Sequence, residues 1–103
     1  LPTSIGELSA LIDLRLGSNE ITGTIPTELG NLESLRDLHI QRNRLSGSLP
    51  LSFAGMKNLR EFHAYSNKIT GKIPVQIGFL GFFSQLKILY LDGNEVGLLV
   101  EIM

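Results

Sequence analysis

The stretch LRDLHIQRNRLSGSLP, residues 35–50, carries the pattern that decides the fold of this chain. Its frame is L-x-x-L-x-L-x-x-N-x-(I/L)-x-G-x-(I/L)-P, with other apolar residues at some leucine positions, and it occurs again one period earlier and one period later. The asparagines of the three copies, Asn19, Asn43 and Asn67, are 24 residues apart. A fixed period of this length is the signature of a solenoid, in which each unit buries its apolar side only against its neighbours.

The period divides the chain into three regular units, 1–24, 25–48 and 49–72, and an irregular fourth unit, 73–103. Asn94 follows Asn67 by 27 residues instead of 24, because the segment IGFLGFF (77–83) is about three residues longer than its counterparts. The Gly and Ile-Pro expected after Asn94 are replaced by GLLVEIM. End units of a solenoid need polar caps, and none is visible here. We therefore expect one solenoid segment over 1–103 that is a fragment of a longer array.

Each unit predicts one short strand. Leu14 and Leu16 alternate with polar residues, as do Leu38 and Ile40, which is the period-two pattern of a half-buried strand. Units that run the same way and are joined by long returns must pair their strands in parallel. Leucines three apart in the second half of a unit suit a short 3₁₀ or irregular turn.

Asparagine recurs where the chain leaves each strand. A short amide at that point can satisfy backbone donors and acceptors from inside the turn. The sequence therefore predicts a buried ladder of stacked amides, formed by Asn19, Asn43, Asn67 and Asn94.

The frame resembles the plant-type leucine-rich repeat (LRR) over roughly residues 1–96. Besides the asparagines, the residues that carry the resemblance are Thr22-Gly23 with Ile25-Pro26, Ser46-Gly47 with Leu49-Pro50, and Thr70-Gly71 with Ile73-Pro74. The resemblance implies a right-handed superhelix with short parallel β-strands on the concave face and 3₁₀ or irregular segments on the convex face. It also implies a further short strand near Thr-Gly-x-Ile-Pro. The family includes ectodomains of receptor-like kinases and receptor-like proteins, so it implies non-catalytic protein–protein interaction through the concave face.

Composition excludes several classes of function. A formal net charge of −1 argues against an obligate nucleic-acid binder, and no apolar run is long enough to span a membrane. Without cysteine the chain has no disulfide, no thiolate zinc site and no thiol nucleophile. The resemblance implies an extracellular or cell-surface location, whereas the lack of cysteines and of an N-x-S/T sequon leaves a cytoplasmic alternative. Apolar residues near both ends, such as Leu8 and Leu98, predict self-association through uncapped ends.

The exposed strand positions define the candidate binding surface for a protein or peptide ligand. Aligning the units gives a column of cationic, titratable and aromatic side chains on the concave face, with further aromatic and basic residues in the neighbouring columns. Arginine and tyrosine are enriched in interface hot spots. The predicted partner-binding residues are Arg15, Arg36, His39, Arg42, Arg60, His63, Tyr65 and Tyr90.

A basic column lies beside an acidic column on the same face. It predicts lateral ion pairs, such as Arg36 with Asp13 or Asp37, and Arg60 with Asp37 or Glu61. The alternative is a solvated charge ladder, since exposed pairs contribute only about 0–1 kcal/mol each.

Metal binding or catalysis at His39 and His63, with Glu61 nearby on the same face, is a second interpretation. Zinc sites usually present three or four ligands, and hydrolytic sites need a water-excluding cleft, so an open groove argues against both. We therefore predict no catalytic residue, no metal and no cofactor. An inhibitor of a cell-wall hydrolase, like the plant polygalacturonase inhibitors, and a structural segment of a large assembly are further alternatives. Ice binding would favour flat rows of Thr or Asn, which the charged and mixed concave columns do not offer.

Overall fold

The structure, a computed structural model, describes residues 1–71 and 85–95. Within these residues short strands alternate with 3₁₀ helices. The strands are β1 (Asp13–Arg15), β2 (Thr22–Thr24), β3 (Asp37–His39), β4 (Arg44–Gly47), β5 (Glu61–His63), β6 (Lys68–Ile69) and β7 (Ile88–Tyr90). The 3₁₀ helices are Thr3–Glu7, Thr27–Asn31 and Leu51–Gly55. The predicted solenoid of parallel strands and 3₁₀ turns is confirmed.

The concave sheet consists of β1, β3, β5 and β7, side by side and all parallel. Its register pairs Leu14 with Leu38, Leu38 with Phe62, and Phe62 with Leu89, so that equivalent positions of the units are neighbours in space. Because successive side chains of a strand point to opposite faces, this column faces the core and the residues on either side of it face outward. The alignment of the units by sequence is therefore confirmed.

A second parallel sheet contains β2, β4 and β6 in that order. It includes Thr22-Gly23 and Ser46-Gly47, whereas β6 ends at Ile69, one residue before Thr70-Gly71. The further strand that the resemblance implied near this segment is confirmed. Gly23 and Gly47 lie in this sheet with φ of 86° and 80°. Only glycine adopts this left-handed conformation without steric cost, which explains why the position recurs as glycine.

The 3₁₀ helices line the convex side, and each begins directly after a proline of the frame. Pro26 and Pro50 flank their helices with φ of −69° and −67°, close to the value that the proline ring imposes. Neighbouring helices approach closely at glycine: a Cβ added to Gly6 would lie 2.6 Å from the carbonyl oxygen of Glu28, and one added to Gly30 would collide with Ser52. These glycines allow the convex side to stack as tightly as the sheets.

The core lies between the concave sheet and the 3₁₀ helices. Its fully buried side chains come mainly from the second and third units and include Leu29, Leu32, Leu35, Leu38, Ile40, Leu45, Phe53, Met56, Leu59, Phe62 and Ile69. Phe53 and Phe62 meet edge to face with ring centroids 5.6 Å apart, a favoured geometry for an aromatic pair. In the first unit Leu8 and Ile12 are exposed. The other apolar residues that pack against this core are only partly buried, and they are Ile5, Leu11, Leu14, Leu16 and Ile21.

The asparagine ladder is present and links consecutive units. Asn67 Oδ1 accepts a hydrogen bond from the Leu45 amide of the preceding unit at 3.0 Å, and its Nδ2 donates to Ile40 O and Ala64 O. Asn43 repeats this pattern with the amide of Ile21 at 3.1 Å. Both amides are buried, so each satisfies backbone groups that water cannot reach.

The prediction of a buried ladder is wrong at its first member. Asn19 is exposed, and its Nδ2 donates only within its own unit, to Leu16 O and Gly17 O. The described chain has no earlier unit whose backbone this side chain could bridge. Asn94 at the other end is half-buried and follows the regular pattern, since its Oδ1 accepts from the Ile69 amide at 2.9 Å.

Several expectations concern residues 72–84 and 96–103, which lie outside the described residues. These expectations are the insertion in IGFLGFF (77–83) and the apolar surface near Leu98. Within residues 1–71 and 85–95, no helix has the length and apolar character needed to cross a bilayer.

Candidate functional site

The centre of the candidate site is a contact between two histidines on adjacent strands. The register pairs His39 of β3 with His63 of β5, and their rings stack with centroids 4.2 Å apart and an interplanar angle of 14°. Tyr90 of β7 continues the column and meets the ring of His63 edge to face at 5.1 Å. Strand register thus converts three sequence positions one repeat apart into one row of touching rings.

Tyr65 extends this row sideways. Its ring lies 6.4 Å from that of His63 and 6.3 Å from that of Tyr90, between centroids. The guanidinium carbon of Arg42 is 5.9 Å from the centre of the Tyr65 ring, within the range of a cation–π contact. We call His39, His63, Tyr65 and Tyr90 the ring strip.

An open depression of about 370 Å³ lies along the ring strip. It is lined by His63, Tyr65, Tyr90 and Asp92. Tyr90 is 48% exposed. The depression gives a ligand access to the faces and edges of several rings at once.

Two carboxylates of the acidic column, those of Asp13 and Glu61, contact side chains of their own strands. Arg15 Nε lies 3.0 Å from Asp13 Oδ2, and His63 Nε2 lies 3.1 Å from Glu61 Oε1, in each case two residues apart on one strand face. Side chains at i and i+2 of a strand share a face, so these carboxylates already have partners. Both members of the Arg15 pair are largely exposed, and its contribution to stability is correspondingly small.

The predicted lateral ion pairs of Arg36 and Arg60 are wrong. Both arginines are exposed, and neither takes part in an ion pair within the described part of the chain. Each precedes its strand by one residue, and the carboxylates of Asp13 and Glu61 are occupied by strand neighbours. The two guanidinium groups are therefore solvated, in agreement with the alternative of a solvated charge ladder.

Two buried polar atoms on the concave sheet have no hydrogen-bond partner among the described residues. They are Nε2 of His39 and Oε1 of Gln41, whose side chains are two residues apart. The pKa of His39 is lowered from its ordinary value of 6.5 by burial first, and then by the neighbouring His63 and Arg15. Unpaired buried polar groups are rare in folded proteins and need an explanation.

Sequence reasoning missed Gln41 and Asp92 as members of the site, and it considered Glu61 only beside a possible histidine metal site. Gln41 lies against Gly17, at which an added Cβ would collide with the Gln41 amide. The alignment of the units could have revealed this contact, because Gly17 and Gln41 occupy the same column. Glu61 enters through its contact with the His63 ring, and Asp92 through the depression that it lines.

The stacked strands and 3₁₀ helices define a repeat solenoid. Its concave sheet of parallel strands presents an accessible row of rings. A sequence model of the Leucine Rich Repeat family matches residues 10–32, 34–56 and 58–80, more than half of the chain. The chain therefore belongs to the leucine-rich repeat family, and its structural neighbours are plant-type members. Comparison with curated proteins gives no match.

Several solved structures resemble the chain closely. One is the LRR ectodomain of the plant membrane receptor kinase GASSHO1/SCHENGEN3 from Arabidopsis thaliana in complex with CASPARIAN STRIP INTEGRITY FACTOR 2, with 32% identity, a TM-score of 0.87, and coverage of 93% of this chain and 11% of that one. A chain of the complex of the Arabidopsis receptor kinase HAESA with the peptide hormone IDA and the co-receptor SERK1 gives 35% identity, a TM-score of 0.83, and coverage of 93% and 15%. A plant ice-binding protein gives 33% identity and a TM-score of 0.82, with coverage of 92% of this chain and 30% of that one. The chain thus spans less than a third of the length of each of these proteins.

Proposed function

We propose that this chain is a non-catalytic binding module that takes up a protein or peptide ligand on its concave sheet. The observation that carries the proposal is the ring strip, in which the His63 ring contacts the other three rings, and His63, Tyr65 and Tyr90 line an open depression of about 370 Å³. Aromatic side chains that are partly exposed and already packed are the usual energetic centre of an interface.

The ring strip is held in place before a ligand arrives. Its strands are fixed by parallel hydrogen bonding, and the ring of His63 contacts those of His39, Tyr65 and Tyr90. A side chain that is already ordered loses little conformational freedom on binding, which saves about 0.5–1.5 kcal/mol for each such residue. Preorganisation of this kind favours capture of a flexible peptide.

The polar surroundings indicate what the ligand offers. The exposed arginines Arg36 and Arg60 directly precede their strands, and the exposed Arg42 follows β3 and lies over the Tyr65 ring. They favour a ligand that carries carboxylates near its aromatic or apolar contacts.

Similar proteins support the same use of the fold. The structures described above include an ectodomain in complex with CASPARIAN STRIP INTEGRITY FACTOR 2 and a receptor kinase in complex with a peptide hormone and a co-receptor. By analogy we propose that this chain lies outside the cell, as one solenoid segment over 1–103 within a longer receptor-like array. The carry-over is supported by the identity of 32–35% along almost the whole of this chain.

We assign no reaction to the ring strip. Its depression is open along one side of the sheet, whereas general acid–base and hydrolytic chemistry benefit from a site that excludes water. His63 is also engaged by Glu61 rather than by a nucleophile.

Ice binding is a poorer match despite the similarity to a plant ice-binding protein. The register of the second sheet pairs Thr22 with Arg44 and Ser46 with Lys68. Exposed charged side chains thus interrupt the rows of hydroxyl groups on this sheet. The concave sheet is interrupted in the same way by Arg15.

Selection of linear peptides from a random display library on the unmodified chain tests the proposed function. The peptides obtained are then measured against the double variant His63→Ala/Tyr65→Ala by calorimetry. We expect binding to weaken by about tenfold or more, because aromatic hot-spot residues contribute above 1 kcal/mol each and about 1.4 kcal/mol corresponds to a factor of ten.

Leu51→Ala is the matched control. Leu51 lies on the convex 3₁₀ helix Leu51–Gly55 and is 48% exposed, like Tyr90 on the concave sheet. We expect less than a twofold change in this variant. Equal loss of binding in the two variants, or unchanged binding in the double variant, would contradict a concave site.

A further inference from the structure

Three potential metal ligands converge at the centre of the concave sheet. One ring nitrogen of His39, one ring nitrogen of His63 and a carboxylate oxygen of Glu61 all lie within 4.8 Å of one another. Parallel register brings the two histidines side by side, and Glu61 lies two residues before His63 on the same strand face. The structure therefore brings together the ligand atoms of the three residues that the sequence interpretation named.

We propose that His39, His63 and Glu61 form a binding site for a zinc ion. Two imidazoles and one carboxylate are a common ligand set for Zn²⁺, with water in the remaining position. His39 Nε2 is buried without a partner in the described chain, so it is available as a ligand without loss of a hydrogen bond. The donor set is too nitrogen-rich for Ca²⁺ or Mg²⁺, which prefer oxygen ligands.

The present arrangement is close to a bound geometry without reaching it. With Zn–N and Zn–O distances of about 2.0–2.2 Å, tetrahedral ligand atoms lie roughly 3.3 Å apart. The ligand atoms here spread over as much as 4.8 Å, and the rings stack at 14°, so their nitrogen lone pairs point side by side. A tilt of the two rings toward each other would close this gap. The strands need not move, because all three side chains are only half-buried.

Nearby charges offset one another at this point of the sheet. In the acidic column, Asp37 lies next to Glu61 in register, while Arg15 lies next to His39. The Arg15 guanidinium is already paired with Asp13 at 3.0 Å. The charges around the site therefore do not oppose a divalent cation. Glu61 has only to turn from the His63 ring toward the metal.

The proposed site involves every histidine of the chain. The sequence contains two histidines and no cysteine, so no other imidazole and no thiolate can bind the ion. The inference does not depend on the proposed function, because zinc binding and peptide binding are separate measurements.

Titration of the tag-free chain with ZnCl₂ in a calorimeter tests the proposal. We expect saturation at one ion per chain, and no binding with CaCl₂ or MgCl₂. His39→Gln and His63→Gln should each weaken zinc binding by at least about tenfold, as should Glu61→Gln, because each removes one of three protein ligands. Asp37→Asn removes the adjacent carboxylate and the same charge as Glu61→Gln, and it should change the affinity less than twofold.

NMR spectra of the histidine rings keep the test decisive if a variant fails to fold. In the unmodified chain, ZnCl₂ should shift or broaden the ring signals of both histidines. The proposal is overturned if ZnCl₂ gives no saturable heat, or if both ring signals stay unchanged at saturation. Full-strength binding by the double variant His39→Gln/His63→Gln would also overturn it.

Discussion

The first two units of the solenoid share one sequence frame but differ in how much of it is buried. Leu38 of the second unit has no exposed surface, whereas Leu14, its neighbour in register, is only half-buried. Asn43 bonds to two units, but Asn19 bonds only to its own. The difference shows that the leucine and the asparagine of the frame are buried only where a neighbouring unit lies on each side, as expected for a fold that is stabilised between nearest neighbours.

The difference in burial between the two units concerns only one side of the first unit. Toward the second unit, the first unit packs as closely as any other, since Gly6 lies against the Glu28 backbone just as Gly30 lies against Ser52. Its deficit concerns the side that faces away from the array. Substitutions at equivalent positions of the two units should therefore separate the effect of the sequence from the effect of the neighbours.

The largest difference is expected for leucine. Leu38→Ala should lower the free energy of unfolding by about 2–5 kcal/mol, because it removes a fully buried side chain and leaves a cavity. Leu14→Ala should cost less than half as much, since solvent already reaches that side chain. Urea denaturation of the two variants measures both values. Equal costs would mean that the first unit is as well packed as the second.

A smaller difference is expected for asparagine. Asn67→Ala should cost about 1–3 kcal/mol, because it leaves the buried Leu45 amide without its acceptor. Asn19→Ala should cost less than about 0.5 kcal/mol, as is usual for a surface substitution. The carbonyl of Leu16 that Asn19 contacts keeps its bond from Asn43 Nδ2. Thermal or urea unfolding compares the two, and a cost above 1 kcal/mol for Asn19→Ala would contradict the comparison.

The smallest effect concerns pH and tests whether the first unit influences the second through charge. The pKa of His39 lies below 6.5 in the folded chain, so the unfolded chain binds this proton first as the pH falls. The free energy of unfolding should therefore decrease as the pH drops from 6.5 through the folded pKa. NMR titration of the metal-free chain gives this pKa directly.

Arg15→Gln should raise the pKa of His39, because it removes one of the charges that lower it, while Arg44→Gln on the second sheet should leave it unchanged. His39→Gln should remove this part of the decline in stability. If Arg15→Gln leaves the pKa unchanged, the half-buried first unit has no electrostatic influence on its neighbour.

Much of the site could be predicted from the period alone. In-register parallel stacking makes residues one period apart neighbours, so the row Arg15, His39, His63, Tyr90 was predictable and is confirmed. The ion pairs were not predictable in the same way. Asp13 and Glu61 had several basic neighbours within reach, and the partner two residues along the same strand is the one that each contacts.

The architecture follows directly from the sequence, because a 24-residue frame with fixed apolar, Asn, Gly and Pro positions allows only one kind of stack. The tertiary structure determines which residues at the same position of the repeat contribute equally to stability. Burial of an asparagine depends on whether a unit precedes it, and stacking of two imidazoles depends on side-chain torsions that the register leaves free. Those torsions bring Glu61 and two histidines within 4.8 Å, a convergence of side chains that periodicity could not specify.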